Sequence, residues 1–257
     1  MSVLEVHHLT KRFNGIPVVS DVSFAMDKGE ILGYIGTNGA GKSTTVKMMI
    51  GLLQPSYGQI KWHGRSIADN LTSFQERLGY IPEESHMYSF LSGSEYLRLL
   101  GRLRGMKRPV LEFKIERFLK LFGLWDDREC QLSSYSKGMR QKILISGALM
   151  HDPEVLIFDE PLGGLDVNMV LGLRQIVQGL SQRGKTIFYC SHVLDDMEKL
   201  CSRVLILQKG RLLVDDSIAH LREIREQSSL EGVFASLTKN DDDEQTLARG
   251  ILEAMQS

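Results

Sequence analysis

Gly36-Thr37-Asn38-Gly39-Ala40-Gly41-Lys42-Ser43-Thr44 governs the reading of the whole chain. Four free positions separate Gly36 from Gly41-Lys42-Ser43, the spacing of a phosphate-binding loop. The flanks agree with that reading. Ile31-Leu32-Gly33-Tyr34-Ile35 is an apolar run suited to a buried strand, and Thr45 to Ile50 reads as a helix ending at Gly51. Glycines let the backbone curl, so that the amides of Gly36, Asn38, Gly39, Ala40, Gly41 and Thr44 converge on a polyphosphate at the positive end of the helix dipole. Lys42 is then expected to reach the β- and γ-phosphates, and the Ser43 hydroxyl to ligate Mg²⁺. The stretch predicts a nucleoside triphosphate site.

The same loop serves several chemistries, so the reaction is read from residues farther along the chain. Val155-Leu156-Ile157-Phe158 is a short apolar run ending in Asp159-Glu160. Such a run suits a central parallel strand covered on both faces, and ligands of such sheets sit at the carboxyl ends of the strands. Asp159 is expected to hold Mg²⁺, through water, and Glu160 to polarise the attacking water. Between the two motifs lies Leu132-Ser133-Ser134-Tyr135-Ser136-Lys137-Gly138-Met139-Arg140-Gln141. Ser136 suits the N-cap of a helix through Ile143, Leu144, Ala148 and Leu149, and a helix start with a Ser hydroxyl and a Gly amide is a second phosphate-binding device.

At this point the chain resembles the ABC ATPases. Tyr135-Ser136-Lys137-Gly138-Met139 stands where that family has its signature, usually Leu-Ser-Gly-Gly-Gln; Ser136 and Gly138 are kept, while Lys137 and Met139 depart from the common form. Leu91-Ser92-Gly93-Ser94 is a decoy, since Ser92-x-x-Glu95 ahead of an apolar-periodic segment is a capping box. The resemblance assigns further positions. Phe13 matches the aromatic residue that stacks on adenine. Gly163-Gly164-Leu165-Asp166 matches the D-loop, with Leu162 and Gly163 in place of the usual Thr-Ser. His192 matches the switch histidine that contacts the γ-phosphate; the other six His match no family position. Glu83, in Tyr80-Ile81-Pro82-Glu83-Glu84, stands where many members carry the Q-loop Gln. A carboxylate ~4 Å from a phosphate charge costs about 4 kcal/mol at an effective dielectric of about 20, whereas an intervening Mg²⁺ reverses that sign. Glu83 is therefore expected either to reach the metal or to stay in solvent.

The fold that the resemblance implies is α/β: a P-loop NTPase (RecA-like) core with an antiparallel β subdomain and an inserted α-helical subdomain, of the ABC ATPase type. Residues 1–84 and 153–216 are expected to form the nucleotide-binding core, 85–152 the helical subdomain, and 217–257 a C-terminal extension. Strands are expected at Val3–Leu9, Val22–Met26, Ile60–His63, Thr186–Cys190 and Val204–Leu207. Apolar stripes are expected at Tyr96, Leu97, Leu100 and Leu103, and at Ile115, Phe118, Leu119 and Phe122. Arg98, Arg102, Arg104, Lys107 and Arg108 form a basic cluster, read as a solvated face or, less simply, as a contact with anionic lipid or an acidic partner. Asp241-Asp242-Asp243-Glu244, followed by Leu247, Ile251 and Met255, reads as the start of a last amphipathic helix.

Composition is that of an ordinary globular protein: 257 residues, 42% hydrophobic, 25% charged, formal net charge −1. The balance gives no support to nucleic acid as a partner. Cys130, Cys190 and Cys201 lack ligand spacing and read as reduced thiols of a cytosolic compartment. No signal peptide and no run able to span a bilayer is visible, so any membrane spans are expected from another chain. The resemblance implies ATP and Mg²⁺ as ligands and a head-to-tail dimer, homo- or heteromeric, around two ATPs. Tyr80–Glu84, Tyr135–Lys142 and Leu230–Phe234 resemble the ATP-binding subunits of ABC-2 type exporters. That implies an integral membrane permease as partner and a site on the cytoplasmic face of the membrane. A soluble ABC ATPase of the iron–sulfur cluster type remains the alternative. A small-molecule kinase leaves Ser136, Gly138 and His192 without a role.

Overall fold

The computed structural model describes residues 2–84, 86–224 and 229–238. Two long strands, β1 (Ser2–Phe13) and β2 (Ile16–Asp27), pair antiparallel through a tight turn at Asn14-Gly15. They are followed by β3 (Ile31–Gly36), α1 (Lys42–Met49), β4 (Tyr57–Trp62), β5 (Arg65–Ser66), α2 (Leu71–Glu76) and β6 (Leu78–Ile81). Helices then dominate: α3 (Gly93–Leu103), α4 (Arg108–Leu121) and α5 (Lys137–Leu149). Strands and helices alternate again through β7 (Val155–Asp159), α6 (Val167–Gln182), β8 (Thr186–Cys190), α7 (Leu194–Leu200), β9 (Arg203–Gln208) and β10 (Arg211–Ser217). Two short helices, α8 (Ile218–Ile224) and α9 (Leu230–Thr238), close the described chain.

Two sheets result. One has the order β10-β9-β3-β8-β7-β6 and is parallel except for its β10 edge; the other is antiparallel with the order β2-β1-β4-β5. Every residue of β3, β7 and β8 is buried. The reason is coverage on both faces. Val46, Met48 and Met49 of α1, with the inner face of the antiparallel sheet, cover Tyr34, Ile157 and Phe188. Leu173, Val177 and Met197 of α6 and α7 cover Ile35, Phe158 and Tyr189 on the other side. The continuous apolar runs of the sequence are these doubly covered strands.

The helical part has its own core, in which Tyr96, Leu97, Leu111, Ile115, Leu119 and Tyr135 pack together. The expected Ser92 capping box is present: Glu95 N–H donates to Ser92 Oγ at 3.2 Å, and Ser92 N–H donates to Glu95 Oε2 at 2.8 Å. Leu103 departs from the expected stripe and is 73% exposed. Gly101 faces α4 instead, where a Cβ would lie 2.2 Å from Leu111 Cδ1. The basic cluster is not uniformly solvated either, because Arg98 makes a two-pronged pair with Glu112 at 2.7 and 3.0 Å.

The stretch Leu230–Phe234 lies in α9, whose Leu230 and Val233 are buried against Met197, Leu200 and Leu221. The acidic run 241–244 and the apolar positions 247, 251 and 255 lie outside the described residues. Cys190 and Cys201 are buried and Cys130 is exposed. Among the described residues no helix is long and apolar enough to cross a membrane.

Candidate active site

Strand register brings the sequence motifs to one place. Cys190 at the end of β8 pairs with Tyr34 of β3 on one side and with Asp159 of β7 on the other. The segments leaving these strands therefore emerge level with one another at the carboxyl edge of the sheet, where parallel sheets receive ligands. A cleft of about 380 Å³ lies there. Asn38, Gly39, Lys42 and Ser43 line it from the loop and α1; Asp159 lines it from the end of β7, and Glu83, Glu160 and His192 from the segments that follow β6, β7 and β8.

The loop is shaped by backbone demands. Gly41, the residue before α1, has φ 106°, and a Cβ there would sit 2.8 Å from the Val18 carbonyl oxygen, so only glycine fits. Thr45 ties the helix start to the strand behind it. Its hydroxyl donates to Gly41 O at 3.1 Å and accepts from the buried Tyr34 hydroxyl at 3.1 Å. Lys42 folds back over the loop and donates to the carbonyls of Gly36 at 2.6 Å and Thr37 at 3.3 Å. Ala40 is buried, and Thr44 is half-buried on the first turn of α1.

The opposite wall is acidic. Burial pushes Asp159 up to about 6; the Cys190 thiol, hydrogen-bonded to it, lowers its pKa, while the neighbouring carboxylates of Glu83 and Glu160 raise it further against the pull of Lys42. Three carboxylates on one cleft leave it short of positive charge. Ser43 and Asp159, with Glu83 within electrostatic reach of Asp159, form an all-oxygen donor set that fits Mg²⁺. Among the described residues no three His, Cys, Asp or Glu side chains form a closed metal cage. Mg²⁺ needs none, since it is held by one or two carboxylates together with substrate phosphates.

Glu160 is held in an uncommon backbone conformation. Its φ is 49°, a left-handed geometry that costs a non-glycine residue of order 1–3 kcal/mol and is found where the surroundings impose it. Its N–H donates to Cys190 O at 2.9 Å, which ties the residue to the neighbouring strand. Its carboxylate oxygen Oε2 lies 2.8 Å from His192 Nδ1 and accepts from the Ser191 hydroxyl at 3.3 Å. His192 is 73% exposed and Glu160 only 16%, so the imidazole presents to solvent while the acid is recessed. Ser191 and Cys190, which bind Glu160 and Asp159, are not marked out by the sequence. Their only signal is their place directly before His192.

Other expected site residues stand away from this cleft. Ser136 caps α5, its hydroxyl accepting from Met139 N–H at 3.2 Å. Gly138 packs on the loop after Glu160, where a Cβ would come within 2.7 Å of Gly164 O. Asp166 caps α6 by accepting from Met169 N–H at 3.0 Å. Phe13 is exposed at the end of β1, with Lys11 Nζ 5.3 Å from its ring centroid.

A family model described as "ABC transporter" matches residues 19–163. The chain is 35% identical over 222 residues to the "ABC transporter ATP-binding protein NatA" of Bacillus subtilis (strain 168), covering 86% of this chain and 90% of that protein. It is 36% identical over 222 residues to the "Bacitracin transport ATP-binding protein BcrA" of Enterococcus faecalis, covering 86% and 71%. A solved structure described as "Structure of ATP binding subunit of ABC transporter" superposes with a TM-score of 0.87 at 33% identity, covering 93% of this chain and 100% of that one.

Proposed function

The chain belongs to the ABC transporter family as an ATP-binding subunit, and from that premise we propose that it hydrolyses Mg·ATP as a head-to-tail dimer to drive export through a separate membrane permease. The observation that carries the ATPase part is the meeting of Lys42, Ser43, Asp159, Glu160 and His192 at one cleft. In the proposed reaction the loop amides and the Lys42 ammonium hold the triphosphate by fixed dipoles and charge, the main work left to a protein in phosphoryl transfer. Mg²⁺, when bound, would supply positive charge to offset the negative charge of the phosphate oxygens. Glu160, recessed and negatively charged, accepts a hydrogen bond from the attacking water and orients it. His192 is close enough to Glu160 to fix its carboxylate and exposed enough to meet the γ-phosphate oxygens.

The dimer supplies what one chain lacks at its own cleft. Ser136 and Gly138 present a capped helix start away from the loop, so a second copy, or a similar subunit, turned head to tail would bring its own to the bound nucleotide. Phe13 is proposed to stack on adenine, and Asp166 to lie along the interface. The transport reading is supported by the relative named for bacitracin transport and by the resemblance of Tyr80–Glu84 and Tyr135–Lys142 to the exporter group. Membrane association on the cytoplasmic face follows from that reading.

The partner is tested by solubilising native membranes in mild detergent, capturing the full chain by a tag and identifying what accompanies it. A stoichiometric multi-span protein supports the exporter reading. A soluble partner alone overturns it in favour of a non-membrane assembly such as iron–sulfur cluster biogenesis.

Glu83 is proposed to act with the metal, because it lines the same cleft as Asp159 and adds negative charge to it. Glu83→Gln is expected to raise the Mg²⁺ concentration needed for half-maximal turnover by about tenfold, the scale on which supporting groups tune metal sites. A Mg²⁺ titration of ATPase rate checks this; an unchanged midpoint and unchanged turnover remove Glu83 from the metal site.

A further inference from the structure

We propose that Lys137 is a positioning residue for Glu160, its aliphatic stem clamping the loop that leaves Glu160 onto the start of α5. The inference rests on the ATPase reading and extends it to a residue outside the cleft. The loop Pro161–Gly164 continues directly from Glu160, whose left-handed backbone needs surroundings that hold it. On one side that support is strand β8, through the bond to Cys190 O. On the other it is the first turn of α5. Gln141, buried, donates from Nε2 to Pro161 O at 2.8 Å. Gly138 lets the helix approach Gly164 O more closely than any side chain would allow.

Lys137 completes the clamp. A Cβ on Gly164 would lie 2.6 and 2.8 Å from Lys137 Cγ and Cδ, so the stem occupies the space above that glycine. A Cβ on Gly163 would lie 3.7 Å from both Lys137 Nζ and Glu160 O. Gly164 also has φ 82°, which suits it to glycine for a second reason. Two of the sequence departures, Lys137 and Gly163, are thereby matched. A long side chain at 137 lies across a loop that offers no side chain at 163 or 164. Stems of lysine commonly bury against neighbouring surface while the ammonium stays in water, and Lys137 is exposed overall. Rate depends steeply on the placement of a reacting group, so loosening this loop is expected to slow turnover and to leave nucleotide affinity alone.

The experiment compares the purified full chain with Lys137→Ala, which removes stem and charge, and Lys137→Met, which keeps a stem without charge. Two readouts are taken. The first is hydrogen exchange of the peptide spanning 158–166; the second is kcat against KM for ATP. Faster exchange and a kcat about tenfold lower in Lys137→Ala, with KM within about twofold, support the inference when Lys137→Met matches the parent in both. Equal losses in both variants with unchanged exchange overturn it, because the charge and not the stem then matters. Unchanged kcat and exchange in Lys137→Ala overturn it as well. A parent chain that never turns over ATP refutes the ATPase reading, and the exchange comparison still decides whether Lys137 holds the loop.

Discussion

Glu160→Gln is expected to bind ATP as the parent does and to turn it over about 10²–10⁴-fold more slowly, the range a positioned general base contributes. The substitution keeps the size of the side chain and its ability to accept from Ser191 at 3.3 Å. It also leaves the backbone bond to Cys190 O in place. What disappears is the negative charge, which draws a proton from water and strengthens the pairing of that same oxygen with His192 at 2.8 Å. Removing one of the carboxylates that crowd Asp159 also lowers repulsion toward an incoming triphosphate, so affinity is expected to hold or improve. Steady-state hydrolysis and calorimetric ATP binding on the same preparation separate the two effects. Near-parental turnover would remove Glu160 from the reaction.

Lys42→Ala is expected to act on the other quantity, weakening ATP binding by about 10²-fold or more. The ammonium is held over the loop by the carbonyls of Gly36 and Thr37, in the middle of the segment that is to receive the phosphates. At an effective dielectric of about 20, a unit charge ~4 Å away is worth about 4 kcal/mol, and part of that loss is recovered by water. About 3 kcal/mol is close to 10²-fold in affinity. Alanine is well tolerated in the first turn of a helix, so thermal stability is expected to stay near the parent's. Lys42→Arg is the informative companion, because a planar fork cannot replace a compact ammonium in a tight loop. Parental ATP affinity in Lys42→Ala would place the triphosphate elsewhere.

Local sequence carries most of the site. The loop spacing, the apolar run before Asp159-Glu160 and the Ser92 and Ser136 caps are patterns within a few residues of one another. Each is set by backbone chemistry that short segments already contain. The strands hidden from a sequence reading, β5, β6 and β10, all lie at sheet edges. β10 alternates exposed and half-buried residues at a sheet edge, and β6, only four residues long, is too short for its pattern to separate it from the approach to Glu83. The clamp of Lys137 on Gly164 is not legible, because it joins residues that only the packing of α5 on the loop after β7 brings together. In the sequence, Lys137 and Gly163 are two unrelated departures from a family pattern. Leu103 leaves its expected stripe because Gly101, with no apolar side chain to count, takes the close contact with α4.

The three thiols have a practical consequence. Burial pushes both Cys190 and Cys201 well above the ordinary thiol range, while Cys130 stands in solvent just ahead of the signature segment. Thiolate is the reactive form, so a maleimide dye should attach at one position without any engineering of the chain. The label would ride on the helical part, away from Asp159 at the end of β7 and Glu160 just after it. Paired with a second dye on the core, it turns the unmodified cysteine pattern into a ruler for movement between the two as nucleotide comes and goes.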